Sequence, residues 1–316
     1  MAVGTALAPR VSVLIVNYNT RDALERCLGC LEPRHEVIVV DNGSKDDSVA
    51  MVRAKFPHVR LIEAGRNLGF GAANNVAAEA ARGEYLLYLN SDAYAEQGAV
   101  DRLADVLAVR PDLVAVGGML LNPDGSLQAS TAWELTVWAV VCEQFMWEKL
   151  PGFGLRSAPW RPYWNTETLR LAGGVQATTQ VMGACLMTRD RAARWDERFF
   201  LYCEDTDFCR RLSAQGRIAY VPDARFTHDL GTSSRSRWTA VARYNAGKEL
   251  YFAIHHGRAA AIVVWGLNRL GALLRLLIWT AATAFTLGLV ARFRRQVGLF
   301  ARVLFAPRNG PARPTD

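Results

Sequence analysis

An α/β fold is predicted for this 316-residue chain: a mostly parallel central sheet with helices on both faces, followed by a C-terminal helical appendage. Three features predict it. Apolar runs of strand length alternate with segments of helical spacing over about the first hundred residues, the pattern that builds parallel sheets. Polar clusters follow three of those runs. Near its end the chain changes to long apolar stretches interrupted mainly by arginine.

Residues 1–10 are expected as a disordered tail, because Met1–Pro9 has neither the basic start nor the apolar core of a signal peptide. Val11–Val16 is a continuous apolar run, as in a strand buried on both faces, and ends in Asn17-Tyr18-Asn19-Thr20. Asp22–Leu31 has helical spacing at Ala23, Cys27 and Leu31. Val37–Val40 is a second strand that ends in Asp41-Asn42-Gly43-Ser44, and a helix over 46–56 follows until Pro57 stops it. Val59–Ile62 is a third strand, and Gly69–Arg82 an alanine-rich helix closed by Gly83. Tyr85–Leu89 is a fourth strand ending in Asn90-Ser91-Asp92. A helix over 97–109 and a strand beginning at Val114–Val116 complete the alternation. Ligands of open α/β sheets bind beyond the carboxyl ends of the strands. Each polar cluster alone reads as ordinary turn residues. Three of them at one sheet edge favour a nucleotide-type site.

Leu120–Leu171 is less regular. Asn122-Pro123-Asp124-Gly125 is a turn, and Trp133, Trp138, Trp147, Trp160, Tyr163 and Trp164 make the stretch aromatic. It reads as a loop-rich subdomain packed on the sheet that doubles as a platform for an acceptor. Val181–Thr188 is a core strand in which Gly183 and Ala184 allow close backbone approach. Phe199–Leu212 then places Glu204, Asp205 and Asp207 at the start of an amphipathic helix, directly after Phe199, Phe200 and Tyr202. Acids in a first turn cap free N–H groups. Carboxylates against apolar surface are also suited to act as a general base, and on these residues alone both roles stay open.

The formal charge of +7 is unevenly distributed. From Arg258 onward there are nine arginines and one acid, net +8, which leaves the rest at −1. The basicity therefore belongs to the appendage, and no aromatic-basic nucleic-acid motif accompanies it. Ala259–Leu267 and Leu276–Ala291 are apolar runs separated by Asn268, Arg269 and Arg275, each shorter than the roughly 20 residues that cross hydrocarbon in one helix. Arg292, Arg294, Arg295 and Arg302 follow, interleaved with Phe293, Leu299, Phe300 and Phe305. This reads as interfacial helices drawn to an anionic membrane surface, with an extra helical layer, a dimer contact or a short or tilted membrane hairpin as the other uses. The six cysteines form no disulfide framework. Cys27 and Cys30 lack the second pair of a zinc site, and a reducing compartment fits.

These motifs, in order, resemble the inverting glycosyltransferases of family 2, which have the GT-A (Rossmann-like) fold, and within them the bacterial rhamnosyltransferase-like branch. The matching residues are Val11–Asn19, Val39–Ser44, Asn67–Asn75, Tyr88–Asp92, Gly183–Leu186, Phe199–Leu212 and Val221–His228. The resemblance implies a catalytic domain over 11–257, with a nucleotide-sugar half about 11–118 and an acceptor half about 119–257. The appendage would then span 258–306 and a flexible tail 307–316.

The roles that follow are those of the family. Departure of a nucleoside diphosphate builds negative charge that a divalent cation, Mn2+ or Mg2+, can neutralise. Asn90-Ser91-Asp92 resembles the family's metal-binding D-x-D with its first acid replaced. That leaves Asp92 as the direct ligand and Asn90 and Ser91 in the nucleotide-sugar site, and His228 resembles a histidine that assists the metal or diphosphate. Asp41 resembles the acid that binds base or ribose. Asn17, Asn19, Asn67, Gly69 and Asn74 are implied to line the donor pocket, with Gly69 and Gly71 permitting close backbone approach. Asp205 resembles the family's base, Glu204 a positioning residue, and Asp207 falls on another helix face.

The implied reaction is transfer of a sugar, rhamnose from dTDP-rhamnose as the leading donor, to a hydroxyl of a cell-envelope glycan or polyprenyl-diphosphate-linked saccharide. Its expected location is the cytoplasmic face of the inner membrane. A nucleotidyltransferase and a non-catalytic nucleotide-sugar-binding scaffold are the competing readings. The first lacks its glycine-rich basic loop after strand one, and the second does not need both Asp92 and Asp205.

Overall fold

The computed structural model describes residues 10–147, 150, 163, 174–229, 236–308 and 310. Strand β1 (Val11–Asn17) pairs in parallel with β2 (Glu36–Asp41) and β4 (Tyr85–Asn90), and β2 pairs in parallel with β3 (Arg60–Glu63). Helices α1 (Arg21–Gly29), α2 (Ser48–Lys55) and α3 (Phe70–Ala80) connect them. The alternation read from the sequence is therefore present, and the period-two rule assigns its faces. Val11, Val13, Ile15, Val37, Val39, Leu87 and Leu89 face one core, under α1, α2 and α4 (Ala99–Val109). Leu14, Ile38, Val40, Leu86 and Tyr88 face the other, under α3 and α6 (Glu204–Leu212).

Past β4 the sheet becomes mixed. β10 (Cys185–Thr188) inserts antiparallel between β4 and β6 (Leu113–Leu121). β6 runs parallel to β11 (Arg217–His228), whose outer edge takes the short antiparallel strands β5 (Ala93–Ala95) and β8 (Gln176–Thr178). The parallel character is thus confined to the first four strands and the β6–β11 pair. The stretch read as one strand, Val181–Thr188, is two: β9 (Gln180–Val181) pairs with β7 (Thr131–Ala132) in a separate ribbon, and Met182–Ala184 turns between β9 and β10. The register of β11 on β6 shifts between Val221 and Arg225, across Pro222. A bulge is where a proline is tolerated in a strand, and beyond it His228 pairs with Ala93, next to Asp92.

A third core joins α5 (Val137–Gln144), Phe199, Cys203 and the helices α7 (Arg237–His255) and α8 (Gly257–Phe285). Here the structure corrects the sequence reading. The two apolar runs at the C-terminal end lie largely on one unbroken helix, α8, which is long and apolar enough to cross a membrane by length and composition. At 1.5 Å per residue its 29 residues extend roughly 43 Å. The polar residues taken as interruptions point inward. Asn268 is buried and bonds to Gln144, Glu249 and the Asn245 carbonyl. Arg275 donates to the carbonyls of Glu143 and Gln144 at the C-terminus of α5. Arg269 donates to those of Val303, Leu304 and Ala306 at the end of α9 (Ala291–Leu304). Both arginines satisfy last-turn carbonyls and oppose the helix dipole favourably. The apolar residues Ile262, Val263, Leu270, Leu273, Leu277 and Ile278 are exposed instead.

Candidate active site

The three polar clusters meet at one sheet edge, as their register requires. Asn17 is the partner of Asp41 across β1 and β2, and Val16 the partner of Asn90 across β1 and β4. Asn17 Nδ2 donates to Asp41 Oδ1 at 2.9 Å and to Ser44 Oγ at 3.0 Å. The Ser44 N–H donates to Asp41 Oδ2 at 2.9 Å, so both carboxylate oxygens of this buried acid are engaged. Asn19 sits in the left-handed region at φ 55°, which asparagine tolerates, and its Oδ1 accepts from the Lys45 N–H. Thr20 connects the first cluster to the third, donating to Asn17 Oδ1 at 2.7 Å and lying 2.9 Å from Ser91 Oγ.

Asn42, not singled out from the sequence, organises the loop over Asn67–Gly69. Its Nδ2 donates to Asn67 Oδ1 and to the Gly69 carbonyl, and its Oδ1 accepts from the Leu68 N–H. Its place within the Asp41–Ser44 cluster was the available signal. Gly69 has φ 90°, and a Cβ there would lie 2.6 Å from the Phe200 carbonyl oxygen, so what approaches this glycine closely is the protein's own backbone. Asn74, in contrast, is buried, and its amide bonds back to the Phe70 carbonyl within α3. That bond secures the first turn of the helix.

Asp92 and His228 come together as the sequence suggested. Both are buried, with His228 Nε2 3.3 Å from Asp92 Oδ1 and 3.3 Å from Asn90 Nδ2. Gln128 orients the ring. Its Nε2 donates to Asn122 Oδ1 at 2.9 Å and to the His228 carbonyl at 3.1 Å, which leaves Oε1 as an acceptor 2.7 Å from His228 Nδ1. The Nδ1 atom therefore carries a proton, and Nε2 faces the site. Cis positions on an octahedral divalent ion with ligands at roughly 2.1 Å lie about 3.0 Å apart, so Asp92 Oδ1 and His228 Nε2 fit one ion. Among the described residues no group of three or more His, Cys, Asp or Glu converges. Substrate oxygens and water would complete such a shell, the usual mode for hard cations on phosphates. The role of Gln128 was hidden because it lies in the stretch read as an aromatic platform. Of that platform, Trp160 and Trp164 lie outside the described residues. Tyr163 is buried, with its hydroxyl on Gln180 Oε1 at 2.7 Å and 2.9 Å from Thr206 Oγ1.

The acidic cluster resolves into three different situations. Asp207 is buried and paired with Arg211 and with His255 at 2.8 Å each, a structural role. Asp205 accepts from the Gly183 N–H at 3.2 Å and from the Thr206 N–H at 2.8 Å. Glu204 is buried, and its Oε2 has no hydrogen-bond partner among the described residues. Burial pushes both carboxyls up, Glu204 to about 8 with further repulsion from Asp205. Buried Glu204 and half-buried Asp205, side by side, hold a proton at neutral pH. The N–H donors on Asp205 favour its ionised form, which leaves the proton on Glu204. The preceding turn is strained, since Tyr202 and Cys203 both lie in the left-handed region at φ 74° and 66°. Such conformations persist only where surrounding structure enforces them. Gly69 and Phe70 do so from one side, and Gly247 of α7 from the other, where a Cβ would lie 2.6 Å from the Tyr202 carbonyl oxygen. Beneath α6, Trp195 stacks on Phe208 at 4.2 Å between centroids and meets Tyr88 edge-on at 5.0 Å.

The two centres are neighbours through the backbone. Gly183 holds Asp205, and the next carbonyl, Ala184, accepts from the Asn90 N–H at 3.1 Å at the start of Asn90-Ser91-Asp92. The Asp205 carboxylate is thus joined through two adjacent residues to the loop that bears Asp92, beside His228.

Comparison with known proteins agrees with this geometry. Residues 12–187 match the model of the family described as glycosyl transferase family 2. The chain is 29% identical over 265 residues to the N-acetylglucosaminyl-diphospho-decaprenol L-rhamnosyltransferase of Mycobacterium tuberculosis, covering 77% of this chain and 84% of the relative. It is 26% identical over 243 residues to the succinoglycan biosynthesis protein ExoO of Rhizobium meliloti, covering 72% and 63%. Among solved structures, the mannosyltransferase PcManGT of Pyrobaculum calidifontis, in complex with GDP-Man and Mn2+, superposes with a TM-score of 0.52 at 19% identity over 94% of this chain and 85% of that one. The mixed sheet with its polar strand ends is the GT-A fold, and with the family match spanning more than half of its length, the chain belongs to glycosyltransferase family 2.

Proposed function

We propose that this glycosyltransferase moves rhamnose from dTDP-rhamnose to a hydroxyl of a polyprenyl-diphosphate-linked saccharide or a cell-envelope glycan, with inversion at the anomeric carbon. The observation that carries the reading is the coupling of the Asp205 carboxylate, through Gly183 and Ala184, to the loop that bears Asp92. It supports a base and a leaving-group site held close together by one backbone segment. Rhamnose and the lipid-linked acceptor follow from the mycobacterial relative, whose alignment spans most of both chains.

Asp205 takes the proton of the acceptor hydroxyl as that oxygen attacks the anomeric carbon from the face opposite the diphosphate. Glu204, holding its own proton, keeps the neighbouring charge low and positions the acceptor. Asn17, Asn19, Asp41, Asn42 and Asn67 shape the nucleotide end, and Ser91 and Asn90 lie toward the diphosphate. Asp92 and His228 would hold Mn2+ or Mg2+, which when bound neutralises charge on the departing diphosphate. The Mn2+ complex of the Pyrobaculum neighbour supports a divalent cation. We further propose peripheral attachment to the cytoplasmic face of the membrane. Helix α8 is amphipathic in the reverse sense, polar inward and apolar outward, and an apolar face of that size marks an interaction surface.

The test is a panel of nucleotide-sugars screened by thermal shift with Mn2+ or Mg2+, followed by transfer to a prenyl-diphosphate-linked N-acetylglucosamine. The expected result is a dTDP-rhamnose-dependent shift and a product of inverted anomeric configuration. Pyrophosphate exchange would point to a nucleotidyltransferase, and donor binding without turnover to a scaffold. Release from membranes by high salt fits the peripheral mode, and a requirement for detergent opposes it.

A further inference from the structure

A cavity of about 590 Å³ lies between the Phe199–Tyr202 segment and helices α7 and α8. Four arginines line it: Arg198, Arg243, Arg258 and Arg308. Among the described residues Glu249 is the one acid on its wall, and that carboxylate accepts from Asn268 Nδ2 at 3.0 Å. Arg198 is paired with Asp196. With four arginines against one acid the wall carries a net positive charge.

The arginines are held in a manner that suits phosphate. Arg243 lies over the Phe200 ring at 5.3 Å and Arg308 over the Trp265 ring at 5.4 Å. A guanidinium held beside an aromatic ring keeps the planar N–H fork that grips phosphate oxygens. The rest of the wall is apolar. Ile262 belongs at once to the cavity and to the exposed apolar stripe of α8. The cavity therefore joins an anion-binding end to a surface that favours hydrocarbon. Its Phe200 and Tyr202 wall is the segment that leads directly into Glu204 and Asp205.

The geometry points to this cavity as the seat of the acceptor's diphosphate, gripped by Arg243, Arg258 and Arg308, with the prenyl chain leaving along the outer face of α8 past Ile262. The inference rests on the lipid-linked acceptor proposed above and assigns it a place. An acceptor with one sugar between diphosphate and attacking hydroxyl would then present that hydroxyl beside the turn bearing Asp205.

The full chain in detergent is titrated with geranylgeranyl diphosphate, without donor, and its tryptophan fluorescence followed. Inorganic pyrophosphate and phosphatidylglycerol vesicles serve as the competing anion sources. The double variant Arg258→Gln/Arg308→Gln changes two exposed side chains, so its melting temperature should match the parent. Its Kd for geranylgeranyl diphosphate is expected to rise at least tenfold, and its KM for a prenyl-diphosphate-linked acceptor likewise, with a larger effect on these than on vesicle binding. Arg243→Lys, which keeps the charge but not the fork, should give an intermediate loss. An unchanged Kd overturns the assignment, as does an equal loss for vesicles and prenyl diphosphate, which would mean general attraction to an anionic bilayer. Because the binding arm needs no turnover, arginine-dependent binding without any transfer would sink the proposed function and keep this site. Transfer with an unaltered acceptor KM in the double variant would do the reverse.

Discussion

The backbone N–H of Phe70 donates to the carbonyl of Phe200 at 3.0 Å, so the first turn of helix α3 is tied to the segment leading into Asp205. The bond depends on Gly69, whose backbone occupies a region open to glycine almost alone and whose missing Cβ leaves room for that carbonyl. Gly69→Ala should destabilise the fold by about 1–3 kcal/mol and weaken both donor binding and turnover. Urea denaturation beside donor titration checks this. Wild-type stability in the variant would mean that the approach is not required.

Replacing Asp205 by asparagine keeps the size and one of the two N–H contacts but removes the base. Transfer should fall by roughly 10²–10⁴-fold, while the thermal shift produced by the nucleotide-sugar stays close to that of the parent. Turnover near the parental rate would remove Asp205 from the chemistry.

The Glu204 carboxyl is held up to about 8 by burial and by Asp205. An acid whose folded pKa lies above its unfolded value stabilises the fold fully below the unfolded value, near 4.5, and that stability is lost as pH rises through about 8. Asp205 is shifted in the same direction. Between pH 5 and 8.5 the parent should therefore lose stability steadily, and Glu204→Gln should flatten the profile. Chemical denaturation at a series of pH values reads this directly. Parallel profiles for the two proteins would show that Glu204 ionises without cost.

Gln128 touches no substrate in the proposed mechanism, yet it fixes the His228 tautomer. Gln128→Leu should raise the Mn2+ or Mg2+ concentration for half-maximal activity by about 10–100-fold, with kcat largely recovered at saturating cation. A variant that loses kcat with no change in cation dependence would indicate a merely structural glutamine.

The first half of the sheet was legible because its strands are local and buried on both faces. Val11–Val16, Val37–Val40 and Tyr85–Leu89 announce themselves as apolar runs, and the polar residues after each mark the edge where a ligand binds. The second half depends on pairing between distant segments. Nothing near Leu186 states that it will lie between Tyr88 and Gly117. Val181–Thr188 looks like one strand because its residues are apolar, and the break at Gly183 exists to turn an N–H toward Asp205. Asn42 and Gln128 escaped notice because a buried amide that organises a loop has the same composition as an exposed turn. Asn268, Arg269 and Arg275 misled for a related reason. Charge within an apolar stretch usually faces water, and here it closes the ends of two other helices.

The segment that leads into Asp205 is held between two glycines, Gly69 against the Phe200 carbonyl on the sheet side and Gly247 against the Tyr202 carbonyl on the helical side. Protein interiors transmit displacement poorly where a flexible side chain can rotate and absorb it, and well where backbone rests on backbone. At Tyr202 the nearest contact with Gly247 is backbone on backbone. A shift of α7 by a few tenths of an ångström must reach the carboxylate almost undiminished, so the helices behind the acidic turn act as a rigid backstop against which the attacking hydroxyl is aligned.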